Sequence, residues 1–299
     1  EKPCVYFLDL LRLPVYTPSC SKYADAANRG WEKDPKTSLS NGPFYLAEYV
    51  PNQYFTLKKN EYYWGKDNIS LEKITYRFFD DTQSMAAAYE TGEVDVATAL
   101  PSSVMELYDG KEDLFVTDQI ATRYIYFNLN VKPFDDVRVR EAFNLAVDRE
   151  ELCKIVGEDT EPTYNLVAKY MKDKNTGKYF TEEAEQPFEE NIERAEAGYP
   201  EGKGFPELTY SYPSLELDSD TAQVIREQLK KNLNIEIKLN AQELQTNYSM
   251  RHAGNFDLCR MNWTADFSDP YTYLSMLLSD STYNCSGIKN EQYDELVRR

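Results

Sequence analysis

The chain has 299 residues, with 51 acidic against 33 basic side chains and a formal net charge of −18. Such an excess of negative charge repels phosphate backbones, so nucleic acid is excluded as an expected partner. No apolar run approaches the roughly 18 residues of a membrane-spanning helix, and the single histidine excludes a histidine-rich metal site.

The first half of the chain alternates between strand-like and helix-like segments. Runs of β-branched and aromatic residues predict strands over 44–50, 54–58, 74–79, 95–97 and 124–130. Helical periodicity predicts helices over 82–91 and 137–156. Gly92 follows the first helix as its C-terminal stop. The acidic pairs Asp80-Asp81 and Asp135-Asp136 each precede a helix, so they are interpreted as capping residues.

The second half repeats this alternation after a charged, weakly periodic stretch over 157–190, which we interpret as a boundary region. Helices are predicted over 192–197, 219–232, 270–278 and 291–299, and strands over 208–211, 234–239 and 256–261. The helix over 219–232 is amphipathic, with Ala222, Ile225 and Leu229 on its inward face. Strands and helices on both sides of residue 160 predict two α/β lobes.

No set of residues predicts catalysis. His252 is the only histidine, so a Ser-His-Asp or Cys-His mechanism would have to use it. The five cysteines form no C-x-x-C pair, and no glycine-rich phosphate loop is present. We therefore predict no catalytic residue, no metal ligand and no cofactor.

The most informative window covers residues 251–270. Its predicted strand runs directly into Trp263 and Asp266, and Arg251 and Arg260 lie nearby in the sequence. Ligands of α/β proteins bind beyond the carboxyl ends of strands. One carboxylate and two guanidinium groups would match both charges of a zwitterion, although a surface cluster of salt bridges is an equal alternative.

Several segments of the chain resemble one known family. In chain order these are SNGPFYL at 40–46, KNEYYW at 59–64, AYETGEVD at 88–95, PFDDVRVREA at 133–142, AVDR at 146–149, and the window 251–270. Together they resemble the extracellular solute-binding proteins of peptide ABC transporters, the oligopeptide- and dipeptide-binding family.

The resemblance implies an α/β, two-lobed periplasmic-binding-protein-like fold, type II-like, that closes on its ligand by hinge motion. Residues 1–163 would form part of the first lobe, with a hinge strand near 124–130, and residues 164–299 most of the second. By the family pattern the fold is incomplete at both ends. A lipoprotein signal and the first strands are expected before residue 1, and closing elements after residue 299.

The resemblance also implies ligand-binding residues. Asp266 falls where the family pairs an aspartate with the α-ammonium of a peptide, and Trp263 falls beside it. Arg251 and Arg260 fall where some members bind the peptide carboxylate. Asn128 falls at the lobe crossing, where it would contact the peptide backbone. At Thr264 some relatives have a cysteine, so no disulfide is expected there.

The implied function is extracellular or periplasmic binding of oligopeptides, delivered to the permease subunits of an ABC transporter. The protein would be a monomer without a cofactor, held at the membrane only through a lipid anchor in the full-length parent. Three alternatives remain open: a binding protein for oligosaccharides or another solute of the same family, a secreted hydrolase, and an adaptor that presents bound peptide to a receptor.

Overall fold

A computed structural model of the chain describes residues 4, 6–24, 30–117, 119–156, 160–173, 176–183 and 199–299. The chain divides into two compact units, one of Arg12–Thr117 and the other of Glu1–Leu11 with Asp118–Arg299. The boundary that the sequence predicts between residues 163 and 164 concerns lobes of the full-length protein and stays a prediction.

The unit Arg12–Thr117 contains an antiparallel sheet in the order β1-β2-β3. Its strands are β1 Phe44–Val50, β2 Tyr54–Lys59 and β3 Lys73–Arg77, followed by helices α2 Thr82–Glu90 and α3 Ser102–Tyr108. Asp81 caps α2 as predicted, because its Oδ1 accepts a hydrogen bond from the Ser84 N–H at 2.7 Å. The predicted strand over 95–97 is wrong: Val96 is exposed and lies in irregular structure.

Two of the family-like segments in this unit meet at Asn60. Its buried side-chain amide donates hydrogen bonds to the Gly42 carbonyl at 2.9 Å and to the Ser40 carbonyl at 3.3 Å. Its Oδ1 accepts from the Tyr62 N–H at 3.0 Å. These contacts fasten the turn before β1 to the turn after β2, so this part of the resemblance has a structural explanation.

The larger unit contains a four-stranded mixed sheet in the order β4-β7-β5-β6. Its strands are β4 Ala121–Phe127, β5 Leu208–Pro213, β6 Ile237–Gln242 and β7 Leu258–Thr264. Strands β5, β6 and β7 are parallel, and β4 is antiparallel to β7. The carboxyl ends of the three parallel strands therefore lie at one edge of the sheet.

The remaining elements of this unit are helices, of which the first, α1, is only one turn long. Their bounds are α1 Phe7–Leu10, α4 Val137–Ala146, α5 Arg149–Val156, α6 Phe180–Glu183, α7 Glu216–Leu233, α8 Leu244–His252, α9 Tyr271–Leu274 and α10 Glu291–Val297. Helix α7 confirms the predicted amphipathic pattern, because Ala222, Ile225 and Leu229 are all buried. None of the described helices combines the length and hydrophobicity needed to cross a bilayer.

The structure corrects two further predicted elements, both in the larger unit, and does not describe a third. The helix predicted over 137–156 is two helices, because Val147 is extended and the Asp148 carboxylate accepts from the Glu151 N–H at 2.9 Å to start α5. The strand predicted over 234–239 begins only at Ile237, because Asn234 adopts a left-handed conformation and ends α7. The helix predicted over 192–197 lies outside the described residues.

The two faces of the four-stranded sheet pack against different parts of the unit. One face, with Tyr210 and Leu258, is buried against α4 and α7. The other, with Tyr126, Cys259 and Met261, packs against Met250 of α8 and against Leu277 and Cys285, which follow α9. Strand residues alternate between these faces with a period of two, and this alternation decides where each candidate site residue points.

Candidate functional site

Strand β7 carries the candidate site. Arg260 and Trp263 are three residues apart on this strand, so their side chains lie on opposite faces of the sheet. Asp266 follows the carboxyl end of β7, at the sheet edge where α/β proteins bind ligands. The structure therefore separates residues that the sequence places in one window.

Asp266 is exposed as a whole residue, and its carboxylate makes no hydrogen bond or ion pair with any described residue. Partial burial alone raises its pKa above the ordinary aspartate value. A partly desolvated anion without a partner attracts a cation, because a bound ammonium would replace the solvation that the carboxylate has lost.

Thr272 is a positioning residue that the sequence does not reveal. Its buried hydroxyl oxygen accepts a hydrogen bond from the Trp263 Nε1–H at 3.3 Å and another from the Asp266 N–H at 3.2 Å. One hydroxyl group thus fixes the indole and the backbone that carries the carboxylate. Nothing in the sequence marks Thr272, because the relationship depends on how α9 folds back onto β7.

The Trp263 ring lies half-buried beside Asp266. It packs against the cluster that contains Met171, Tyr273 and Met276. Its edge-to-face contact with Tyr283 has a centroid distance of 5.0 Å and an interplanar angle of 72°. Packing on several sides therefore fixes the orientation of the indole.

An aromatic stack begins at Phe267, the residue that follows Asp266 in the chain. The ring of Phe267 lies parallel to Tyr6, with centroids 4.3 Å apart, and Tyr6 also stacks on Tyr271 at 5.6 Å. Burial and neighbouring Cys4 raise the pKa of Tyr6 to about 12. Its phenol therefore stays neutral at physiological pH, and the stack adds an apolar wall next to the carboxylate.

Arg260 lies on the face of β7 that packs against α7. Its Nε is 2.8 Å from Oδ1 of Asp218, a carboxylate only 3% exposed, and Arg123 Nη1 lies 3.5 Å from the same oxygen. The contact between Arg260 Nε and Asp218 Oδ1 is an ion pair and not a hydrogen bond, because Arg260 Nε has no hydrogen-bond partner among the described residues. The other carboxylate oxygen, Asp218 Oδ2, has no hydrogen-bond partner among them either. The predicted role of Arg260 in carboxylate binding stays a prediction.

Arg251 lies on the opposite face from Arg260. Its guanidinium carbon is 5.5 Å from the ring centroid of Tyr248, and it is electrostatically close to the thiols of Cys259 and Cys285. Its Nε is buried and has no hydrogen-bond partner in the described part of the chain. The structure thus does not bring the two arginines together, and a shared role at one peptide carboxylate stays a prediction.

The side chain of Asn128 is buried and fully used within the protein. Its Nδ2 donates to the carbonyls of Gly254 at 3.0 Å and Phe256 at 2.8 Å. Its Oδ1 accepts from the Asn130 N–H at 3.1 Å. Asn128 lies beside the start of β7, whereas Asp266 follows the end of that strand. Its hydrogen bonds to the residues before β7 give the Asn128 side chain a structural role. The contact with a peptide backbone stays a prediction.

The arrangement around His252 is unsuited to nucleophilic catalysis. Its Nδ1 is 3.9 Å from Cys285 Sγ, too long for a strong hydrogen bond. Burial raises the pKa of the Cys285 thiol, and burial together with the Arg251 cation lowers the pKa of His252. An activated thiolate needs the opposite shift of the thiol pKa. The described residues also contain no group of three or more ligands that could hold a metal ion.

Residues 1–285 match the model of the bacterial extracellular solute-binding proteins, family 5. The match covers most of the chain, so the chain belongs to this family. The family comprises extracellular solute-binding proteins, which confirms the resemblance seen in the sequence.

Two curated relatives and one solved structure show the extent of the likeness. The chain is 27% identical to a dipeptide-binding protein of Bacillus subtilis over all of its own length and 56% of that protein. It is 29% identical to an Escherichia coli protein named as a probable deoxycholate-binding periplasmic protein, again over all of this chain and 56% of the relative. The chain thus spans little more than half the length of the relatives it matches.

The crystal structure of a periplasmic oligopeptide-binding protein from Borrelia burgdorferi superimposes with a TM-score of 0.87 at 28% identity. The superposition covers 100% of this chain and 59% of that one. It confirms the predicted fold class, an α/β periplasmic-binding-protein-like fold of which this chain spans a part.

Proposed function

We propose that the full-length protein binds peptides outside the cytoplasm and delivers them to the permease subunits of an ABC transporter. The observation that carries the proposal is the carboxylate of Asp266 at the carboxyl edge of the sheet, which has no partner among the residues that the structure describes and is held next to Trp263 through Thr272. A peptide offers an α-ammonium group to such a carboxylate and the planar amide groups of its backbone to the neighbouring rings.

Domain closure would complete the mechanism. When a second lobe closes over the ligand, it removes water from the pair formed by Asp266 and the peptide amino terminus. Recognition of the terminus and the backbone leaves the peptide side chains to water-filled space, where bridging waters replace direct contacts. This accounts for binding of peptides that differ in sequence. We also propose that the protein is a monomer, held at the membrane by a lipid anchor.

The chemistry of the site favours peptides over the other candidate solutes. Deoxycholate carries a carboxylate and no ammonium, so Asp266 would repel it. An oligosaccharide is neutral and could stack on the aromatic residues, but it would leave the Asp266 carboxylate without a counter-charge. A hydrolase would need an activated nucleophile, and Cys285 with His252 lacks one.

The test is to identify the ligand that co-purifies with the full-length protein. Native mass spectrometry followed by denaturation should release peptides, and isothermal titration calorimetry should show binding of short synthetic peptides to the stripped protein. Deoxycholate and an oligosaccharide serve as competitors. Release of a sugar or a bile acid with no bound peptide would contradict the proposal.

A further inference from the structure

A buried acidic residue in α7 faces two arginines from two different strands. The Asp218 carboxylate is 3% exposed, and its Oδ1 lies 2.8 Å from Arg260 Nε and 3.5 Å from Arg123 Nη1. The side chain of Arg260 is 19% exposed, whereas that of Arg123 is 41% exposed. The cluster thus extends from the protein interior to solvent through Arg123.

The cluster lies at the ligand-binding edge of the sheet. Asp218 is in the first turn of α7, just after the carboxyl end of β5. In the pairing of β4 with β7, Arg260 is opposite Ile125 and Arg123 is opposite Asn262. The two arginines are therefore diagonal neighbours on one face of the sheet, and Arg123 is the nearer to the end of β7 that leads to Asp266.

The charges in this cluster do not balance. One carboxylate faces two guanidinium groups, and burial together with the Arg260 cation lowers the pKa of Arg123. Asp218 Oδ2 is buried and has no hydrogen-bond partner in the described ranges. With its Oδ1 2.8 Å from Arg260 Nε, Asp218 nevertheless occupies the position that the carboxylate of a ligand would need in order to pair with Arg260.

We propose that Asp218 is a specificity-determining residue, an internal carboxylate that occupies Arg260 and Arg123 and so removes selection for a free carboxyl terminus on the bound peptide. This inference rests on the proposed peptide-binding function. Peptides would be selected by their amino terminus at Asp266, and their carboxyl terminus would be free to extend beyond the site or to be blocked.

A ligand carboxylate at this cluster faces a direct competitor. It must approach the anion of Asp218, and it can displace that anion from Arg260 only by leaving a buried charge without its pair, which is strongly unfavourable. Removing the charge at Asp218 reverses the situation. The two guanidinium groups would then offer a bidentate site to an incoming carboxylate.

The experiment compares free-acid and C-terminally amidated forms of the same short alanine peptides by isothermal titration calorimetry on the full-length protein. For the wild type we expect the two forms to bind within about threefold of each other. For Asp218→Asn we expect the free acid to bind at least about tenfold more tightly than the amide. Asp220→Asn is the matched control, since Asp220 lies in the same helix but is exposed, and it should leave the ratio unchanged.

The outcomes separate this inference from the proposed function. If the wild type binds both forms but prefers the free acid by tenfold or more, or if Asp218→Asn and Asp220→Asn give the same ratio, the inference is overturned and peptide binding stands. If neither form binds to the wild type, both are overturned. Should Asp218→Asn fail to fold, Arg260→Gln provides the second variant, and we expect it to change the affinities of both forms equally.

Discussion

The hydroxyl group of Thr272 holds the indole of Trp263, whose Nε1 lies 3.3 Å from Thr272 Oγ1. The same oxygen accepts the Asp266 N–H at 3.2 Å. Two donors thus share one buried acceptor, which couples the position of the aromatic ring to that of the backbone that carries the carboxylate.

Replacing Thr272 by Val keeps the shape of the side chain and removes the shared acceptor. We expect a loss of about 1–3 kcal/mol in the free energy of unfolding, because a half-buried indole N–H and a backbone N–H lose their partner. Peptide affinity should fall as well, since Asp266 loses its backbone contact. Urea denaturation and calorimetry measure the two effects. The exposed Thr264→Val on β7 is the control, and an equal effect of both variants would contradict the positioning role.

Replacing Asp266 by Asn removes the negative charge with little change in shape. Affinity for peptides with a free amino terminus should fall at least about a hundredfold, because an ammonium enclosed by lobe closure would lose its counter-charge. Affinity for N-acetylated peptides should be weak and equal in the wild type and the variant. If the wild type and Asp266→Asn bind free-amino peptides equally, Asp266 does not contact the amino terminus.

The raised pKa of Asp266 predicts a pH dependence of peptide binding. Only the ionised carboxylate pairs with an ammonium, so affinity should be constant above this pKa and should decline as the pH falls through it. Because burial raises the pKa, the decline begins at a higher pH than for an ordinary aspartate, whose pKa is about 3.9. Amidated peptides, titrated below about pH 7, exclude the ionisable termini of the ligand as the cause.

Asp266→Asn provides the control for this titration, and it should abolish the decline. A wild-type affinity that stays flat down to the range of an ordinary aspartate would show that no group with a raised pKa takes part in binding. A decline that persists in the variant would assign the titration to another group.

Replacing Asn128 by Ala tests its structural role. The variant leaves the buried carbonyl of Phe256 and the partly buried carbonyl of Gly254 without the Asn128 donor, so we expect a loss of about 2–4 kcal/mol in the free energy of unfolding. The folded fraction should bind peptide with wild-type affinity. Asn255→Ala changes an exposed asparagine in the same loop and should be neutral. A large loss of affinity in a stable Asn128→Ala variant would instead assign it to the ligand site.

Secondary-structure elements are predicted well from the sequence where a single side-chain pattern dominates the whole segment. Helix α7 follows from its inward stripe, and the cap of α2 follows from Asp81 before an alanine-rich segment. The long helix predicted over 137–156 failed because Val147 adopts an extended conformation between two segments that are each helical. Helical periodicity continues across such a break, so the pattern alone does not reveal it.

The site itself was predictable only in part. Asp266 and Trp263 stand out in the sequence because they follow the strand predicted over 256–261 and match a family motif. Asp218 was missed because in the sequence it is one of several acidic residues at the start of an amphipathic helix. Its partners Arg123 and Arg260 come from strands distant in the sequence, and only the pairing of β4 with β7 brings these three charges to one place.

The pairing of β4 with β7 also constrains how the chain folds. Phe127 is opposite Leu258, so this ladder joins segments separated by about 130 residues. Closing so large a loop is entropically costly and is repaid only when the ladder forms, which makes the step slow. We therefore expect the arginines of β4 and β7 to reach Asp218 late in folding, when the four-stranded sheet and the edge that carries Asp266 are completed together.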